Sequence, residues 1–365
     1  MISFTPSAEQ QLIIETVRRF AAERMRPAAH DADEARAVPP EVIAKGWDLG
    51  LLPSSIPEAY GGFGERHSAT TGVLAVQELA AGDTAATLHL LTPNLFALPI
   101  LHCGTEAQKA RWLPQTTEGG FAPYTAAFCE PHWDFDAAAM QTAATRDGDS
   151  YVISGHKAYV PLAESARALL VYASDAGQTQ AFIVDGAAAG LSVLPRESNM
   201  GARALATYEL KFDEVRVPAE DRLGGEQGAD IEMLLSHSRV TLAAIAAGMS
   251  RAAYEYARQY ALGREAFGKP IAQNQAVAFM LAEMAIEVDA IATMALEAAW
   301  KLDAASPDAH RSAALAKMYA DEAALFVTDR AVQVLGGHGY IREHPVERWL
   351  RDARGLPVFL GVAMA

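Results

Sequence analysis

Apolar positions recur at helical spacing over the first third of the chain, switch to strict alternation near Phe121, and return to helical spacing after Asp230. Over residues 7 to about 25, Ile13, Val17, Phe20 and Ala21 fall on one face while Arg18, Arg19, Glu23 and Arg24 fall mostly off it, which predicts an amphipathic helix stopping at Pro27. A second helix is predicted to follow Pro39-Pro40 and to end near Gly46 or Gly50. Pro57-Glu-Ala-Tyr60-Gly61-Gly62-Phe-Gly64 reads as a loop, and helices resume over about 69–81 and 84–101. Thr105-Glu-Ala-Gln108 has the form of a capping box opening a further helix. In the middle of the chain, 141–145 and 151–154 flank Asp147-Gly148, a hairpin signal, and strands are predicted at 168–173, 181–185 and 191–194. Tyr208, Leu210 and Phe212 alternate with polar neighbours in a last strand ended by Pro218. A small antiparallel barrel or sandwich would pack so many short strands. Beyond it, long helices are predicted at about 230–262, 273–304 and 309–335, with a short one from Pro345. They form a bundle buried on more than one side, with a remaining face left for an oligomer interface. The expected class is α+β, mainly α: an N-terminal helical domain over 1–121, a β domain over 122–225 and a C-terminal helical bundle over 226–365.

Charge narrows the partners. The 365 residues carry a net charge of −15 and contain no basic run with interleaved aromatics, so a nucleic-acid partner is not expected. No apolar run reaches membrane-spanning length, and the N-terminus lacks the charged head and apolar core of a signal peptide, which leads to the expectation of a cytoplasmic protein. Cys103 and Cys129 are too few for a disulfide framework and have no metal spacing. No metal motif, nucleophile elbow, P-loop or dinucleotide fingerprint is present, and no metal is expected. Gly224-Gly225-Glu-Gln-Gly228 reads as the turn into the Asp230 helix.

The chemistry-bearing stretch runs from Tyr256 to Gly339. Arg264 is a cation at a helix end, and Gly336-Gly337 allows a ligand to approach bare backbone, a pairing that suits a phosphate-bearing cofactor but also suits ordinary helix capping with a surface arginine. The pair of turns, Arg264-x-x-Phe267-Gly-x-Pro-Ile-x-x-x-Gln275 and Gln333-x-x-Gly336-Gly337-x-Gly-Tyr340, resembles the acyl-CoA dehydrogenase family of flavoproteins. The Tyr60-Gly61-Gly62 loop, the Cys103-Gly-Thr-Glu-x-Gln-Lys-x-x-Trp112-Leu-Pro run and the helical, β, helical order extend that resemblance over the whole chain. It implies FAD, with Arg264, Phe267 and Gln275 reaching the cofactor of a neighbouring subunit and Gln333, Gly336 and Gly337 touching its adenine-side half. It also implies a homodimer or homotetramer, an acyl thioester ligand and an electron-acceptor protein.

Two further segments match those that clasp the flavin ring in the family, and so implicate Phe128, Cys129, Tyr159 and Val160. Cys129 takes a threonine's place, Tyr159 and Val160 match a Trp-Ile pair, and Pro161 replaces a hydroxyl-bearing residue, removing a hydroxyl and a backbone N–H. Phe135 stands at the position of a serine that contacts the thioester ligand. Arg239 matches a helix arginine near the CoA, with Ser236 where an aspartate is common. The family's α-proton base is a glutamate at one of two positions, and here those hold Leu360, within Phe359-Leu360-Gly361-Val362, and Ser238. Leu360 cannot accept a proton and Ser238 is a poor base without a partner. His237, turned about 100° from Ser238 on a helix, is the candidate for a relocated base. The expected function is α,β-dehydrogenation of an acyl thioester, bound to CoA or a carrier protein, if a non-standard base serves. The alternatives are a non-catalytic subunit paired with a catalytic family member in a hetero-oligomer, and a flavin-dependent monooxygenase-type relative.

Overall fold

The computed structural model describes residues 5–361 and 363–365. The first helix, α1 (Ala8–Phe20), opens with a capping box in which Ser7 and Gln10 bond reciprocally. It does not stop at Pro27. A π-turn over Ala21–Met25, in which the Arg26 N–H reaches back to the Ala21 carbonyl, leads directly into α2 (Arg26–Ala35). Pro27 then sits in the first turn of the new α segment, where its missing N–H costs nothing. The chain continues through α3 (Pro40–Trp47), α4 (Leu51–Ser55), α5 (Ala69–Gly82), α6 (Thr84–Leu91), α7 (Asn94–Cys103) and α8 (Glu106–Thr117). The single helix expected over 84–101 is thus two, broken at Thr92-Pro93. The capping box at Thr105 is present, and its Gln108 also donates to the carbonyls of Glu220 and Arg222, at 2.8 and 2.7 Å, tying this helix to the segment that follows the sheet.

Seven strands form one curled sheet: β1 (Tyr124–Ala127), β2 (Ala143–Asp147), β3 (Ser150–Pro161), β4 (Ala168–Asp175), β5 (Gln178–Asp185), β6 (Leu191–Arg196) and β7 (Thr207–Pro218). Asp147-Gly148 makes the expected hairpin, with Gly148 at φ +62°. The sheet is mixed rather than wholly antiparallel. β4 takes β5 along one edge and, along the other, β1 and then β2, both parallel to it. Tight turns dictate antiparallel pairing only for the hairpin neighbours; β1 is separated from β2 by a long loop, so nothing local fixes its direction.

The C-terminal part comprises α9 (Ile231–Gly263), a two-stranded hairpin of β8 (Glu265–Ala266) and β9 (Lys269–Pro270), α10 (Gln275–Asp303), α11 (Ala309–Leu335), the short α12 (Gly337–Tyr340) and α13 (Val346–Gly355). Alanine-rich faces let α9 pack closely against α5: a Cβ at Gly248 would stand 2.1 Å from the Gln77 carbonyl oxygen. Glu78 of α5 is buried between Arg18 of α1 and Arg251 of α9, at 3.0 and 2.7 Å, joining the two helical parts by charge as well as packing. Among the described residues no single helix is long and apolar enough to cross a membrane. α6 and α7, apolar together, bend by 44° and lie in the core.

Candidate active site

The turn after α9 presents Arg264 and Phe267. β8 and β9 are joined by two residues with positive φ, Phe267 at +56° and Gly268 at +78°, the pattern of a tight type I′ hairpin. The tip stands clear of the protein, so Phe267 is 99% exposed. Gly336, which ends α11, has φ +57° and ψ −131°, a backbone region open essentially to glycine alone. A Cβ at Gly336 or Gly337 would meet nothing within 4 Å. Although some seventy residues apart in sequence, the two turns line one open groove of about 490 Å³ whose walls include Tyr260, Arg264, Gly336, Gly337 and His338. Tyr260 Oη and His338 Nδ1, 3.2 Å apart, hold the turns together. No carboxylate among the described residues pairs with the Arg264 guanidinium. Phe267, Gln275 and Gln333 are exposed and lie outside the groove lining.

The second cluster is built on β1 and β3. Lys157, fully buried, donates to the Phe128 carbonyl at 2.9 Å and pairs with Glu130 at 3.0 Å. Glu130 also accepts from the backbone of Gln141 and Thr142, both at 2.8 Å, and contacts His132 Nε2 at 2.9 Å. Burial pushes the Glu130 carboxyl up, but Lys157 and these donors outweigh it and hold the group at about 2; burial likewise draws Lys157 down, to about 8. Both remain charged at neutral pH. With the Ala158 N–H donating to the Cys129 carbonyl at 2.9 Å, this network fixes the loop carrying Phe128 and Cys129 against the strand carrying Tyr159 and Val160. Tyr159, at φ +55°, donates its N–H to Glu197 Oε1 at 3.1 Å, while the second Glu197 oxygen is buried and unpartnered. The Tyr159 side chain borders a cavity of about 170 Å³ with Met200, Arg351, Arg354, Val358 and Phe359. The Pro161 carbonyl accepts from Thr125 Oγ1 at 2.7 Å.

Gly361, next to Leu360, meets Ser238. The Gly361 N–H donates to Ser238 Oγ at 3.1 Å, and the Cys129 thiol donates to the Leu360 carbonyl at 2.9 Å. Burial pushes that thiol up to about 12, so it is no nucleophile. Gly361, at φ +76°, lies flat on Phe128, where a Cβ would come within 2.6 Å of the ring. Asn94 Nδ2 anchors the chain end through the Met364 carbonyl at 3.0 Å, and Ala363 and Ala365 are buried. Only about 20 Å³ of cavity remains beside Ser238; its walls are apolar, Leu95, Phe128, Tyr172, Leu234 and Leu235 among them, and include no carboxylate. Val362, the last position of the expected run, lies outside the described residues.

Phe135 packs edge-on against Phe128, centroids 5.6 Å apart, beside a 97% exposed Trp133. Arg239 is engaged by Glu232 on its own helix. His237 does not line the cavity beside Ser238. It packs instead against His102 and His67, centroids 4.8 and 5.3 Å away, and burial pushes it well below the ordinary histidine range. Sequence spacing gave no warning of that trio, because its members are 35 and 135 residues apart. Lys157 carried a weak signal, a cation in a strand followed by Ala158, Tyr159 and Val160.

These arrangements fit FAD. An open groove offers an unpaired guanidinium and bare glycine backbone, and a separate cavity offers the aromatic side chain of Tyr159.

The sequence matches the acyl-CoA dehydrogenase N-terminal domain over residues 7–120, the middle domain over 125–215 and the C-terminal domain over 227–363. The short-chain specific acyl-CoA dehydrogenase of Bos taurus is 35% identical over 97% of this chain and 87% of its own length. The cyclohexane-1-carbonyl-CoA dehydrogenase of Geobacter metallireducens is 34% identical over 98% of this chain and 95% of its own. The structure of butyryl-CoA dehydrogenase from Megasphaera elsdenii superposes with a TM-score of 0.89 at 32% identity, covering all of this chain and 96% of that one. With all three family domains matched along the chain, the same three-part architecture and relatives covered over most of their length, the chain belongs to the acyl-CoA dehydrogenase family of FAD-dependent oxidoreductases.

Proposed function

We propose that this chain binds FAD and an acyl thioester, and that its α,β-dehydrogenation is slow because neither position that would hold the α-proton base carries a carboxylate. The observation that carries this reading is the contact of Ser238 Oγ with the Gly361 N–H: one base position bonds to the residue next to the other, and the cavity beside Ser238 is lined by apolar side chains with no carboxylate. Arg264, Gly336 and Gly337 are assigned to the phosphate-bearing part of the cofactor, with Phe267, Gln275 and Gln333 reaching between subunits of a homo-oligomer. Phe128, Cys129, Tyr159 and Val160 are assigned to the ring, and Phe135 and Arg239 to the thioester. The boundaries 1–121, 122–225 and 226–365 separate the units that contribute these groups.

Bound FAD supplies the two-electron acceptor; the chain must supply the means of taking up the α-proton. Ser238 Oγ already accepts the Gly361 N–H, and a hydroxyl without a basic partner removes a proton poorly. Loss of a positioned base costs about 10²–10⁴-fold in rate. Arg264→Ala tests the cofactor assignment: flavin occupancy after purification should fall severely, and full occupancy would overturn it.

A second reading is a binding subunit that works beside a catalytic family member. It is favoured by the packing of Gly361 on the Phe128 ring and by the Asn94 hydrogen bond to the Met364 carbonyl, which hold this segment against the small cavity beside Ser238. Co-purification with a second family chain would support this reading; undiminished turnover by the isolated protein would end it.

A further inference from the structure

Three histidines from distant parts of the chain meet in the interior. His67 precedes α5, His102 is in the last turn of α7, and His237 is in the second turn of α9. One ligand-capable nitrogen from each lies within 4.8 Å of the other two. His67 Nε2, His102 Nε2 and His237 Nδ1 are all buried without a hydrogen-bond partner. Leaving even one buried polar atom unsatisfied is unfavourable, and three converging on one point call for an occupant.

The rings do not satisfy one another. His102 and His237 stack at 26° between planes, so neither aims an N–H at the other's lone pair, and His67 stands edge-on to His102 at 83°. The surroundings resemble those of a ligand set. His67 is hydrogen-bonded to the backbone of Ala365 and leaves Nε2 free. Asp303 is held beside it by Ser68 Oγ and the N–H groups of Ala69 and Thr70, at 2.9, 2.7 and 3.0 Å, and puts a negative charge near both His67 and His102.

We propose that His67, His102 and His237 form a binding site for one divalent transition-metal ion of the Zn(II) or Co(II) type. An all-imidazole set suits such borderline ions over the oxygen-seeking Mg(II) and Ca(II), and three protein ligands leave one coordination position for water or an anion. Bonds of about 2.0–2.1 Å in a tetrahedron place ligand nitrogens about 3.4 Å apart, so side chains now up to 4.8 Å apart need only small rotamer adjustments to close on the ion. The site uses none of the residues assigned above to cofactor or thioester. The proposal therefore stands or falls separately from the dehydrogenase reading.

The test uses the full-length holoprotein after chelator treatment and dialysis. Addition of Co(II) should give visible d–d absorption of tetrahedral intensity saturating at one ion per chain, and Zn(II) should abolish that absorption and raise the melting temperature. Loss of a residue that only orients a ligand weakens metal sites by about 10–100-fold, so removing a ligand in His102→Gln or His67→Gln should weaken Co(II) binding by at least about 100-fold. His344→Gln, elsewhere in the bundle, should leave binding unchanged. Absence of Co(II) absorption and of any Zn(II)-dependent melting shift in the unsubstituted protein would overturn the proposal, whatever the variants do. Retention of full binding by the His67→Gln/His102→Gln double variant would do the same.

Discussion

At the scale of single residues, the buried Lys157–Glu130 pair shows how this fold places its site. Lys157 has no route to water, and the carboxylate it faces collects two backbone N–H donors as well. Lys157→Met removes one partner and leaves a buried charge; the expected loss is about 3–5 kcal/mol of unfolding free energy, measured by urea titration. Loosening of the Phe128–Cys129 loop should follow, with lower flavin occupancy. His89 gives a pH signature. Burial against Phe121 draws it to about 4, below its unfolded value of 6.5. The folded state therefore refuses a proton that the unfolded state takes. Its contribution is constant above pH 6.5, falls as pH drops from 6.5 towards 4, and is level below that. The slope is at most about 1.4 kcal/mol per pH unit. His89→Leu should flatten that part of the acid limb, and an unchanged limb would contradict it. The residue scale is also where sequence reading was most uneven. Arg264, Gly336 and Gly337 could be singled out because their motif is local, whereas Lys157's partner and the histidine trio depend on approaches that spacing does not encode.

Among the elements, α5 and α9 approach closely at Gly248. Gly248→Ala puts a methyl into the Gln77 carbonyl and must push the helices apart, at a cost of about 1–3 kcal/mol by the usual measure of overpacking. A melting temperature equal to that of the unsubstituted protein would show that α9 can shift freely. Elements with a local cause were readable: the Thr105 capping box, the Asp147-Gly148 hairpin and the long helices whose apolar stripes repeat without interruption. Where the outcome depended on tertiary partners, expectation and structure part. Pro27 is absorbed by a π-turn instead of ending its helix, and β1 runs parallel to β4 because the long connection after it leaves its direction to packing.

For the whole molecule, the helical bundle keeps an apolar face turned outward. Phe279 and Ile286, seven residues apart on α10, are exposed, as are Leu315 and Met318 on α11 and the Phe267 tip. Positions seven apart share a helix face, and exposed apolar side chains on neighbouring helices mark a surface made to be covered. Ile286→Glu should shift the protein to a smaller species in analytical ultracentrifugation and, because Phe267 and Arg264 are assigned to a neighbour's cofactor, should lower flavin content in step. The three-part architecture was legible from periodicity alone, since the change from helical to alternating spacing near Phe121 and back near Asp230 marks real changes of element type. What the chain end does was not legible: residues 359–361 have no periodicity, and their course over Phe128 and Ser238 is set by contacts.

The most direct measurement is anaerobic flavin reduction by a panel of acyl-CoA thioesters, comparing the unsubstituted protein with Leu360→Glu. Position 360 touches Cys129 through its backbone carbonyl, so the substitution keeps that contact while introducing a proton acceptor. Both proteins should contain FAD, and bleaching by the best thioester should be at least about 100-fold faster in Leu360→Glu. Equal and rapid bleaching in the two proteins would show that a base is already in place, and would contradict the account.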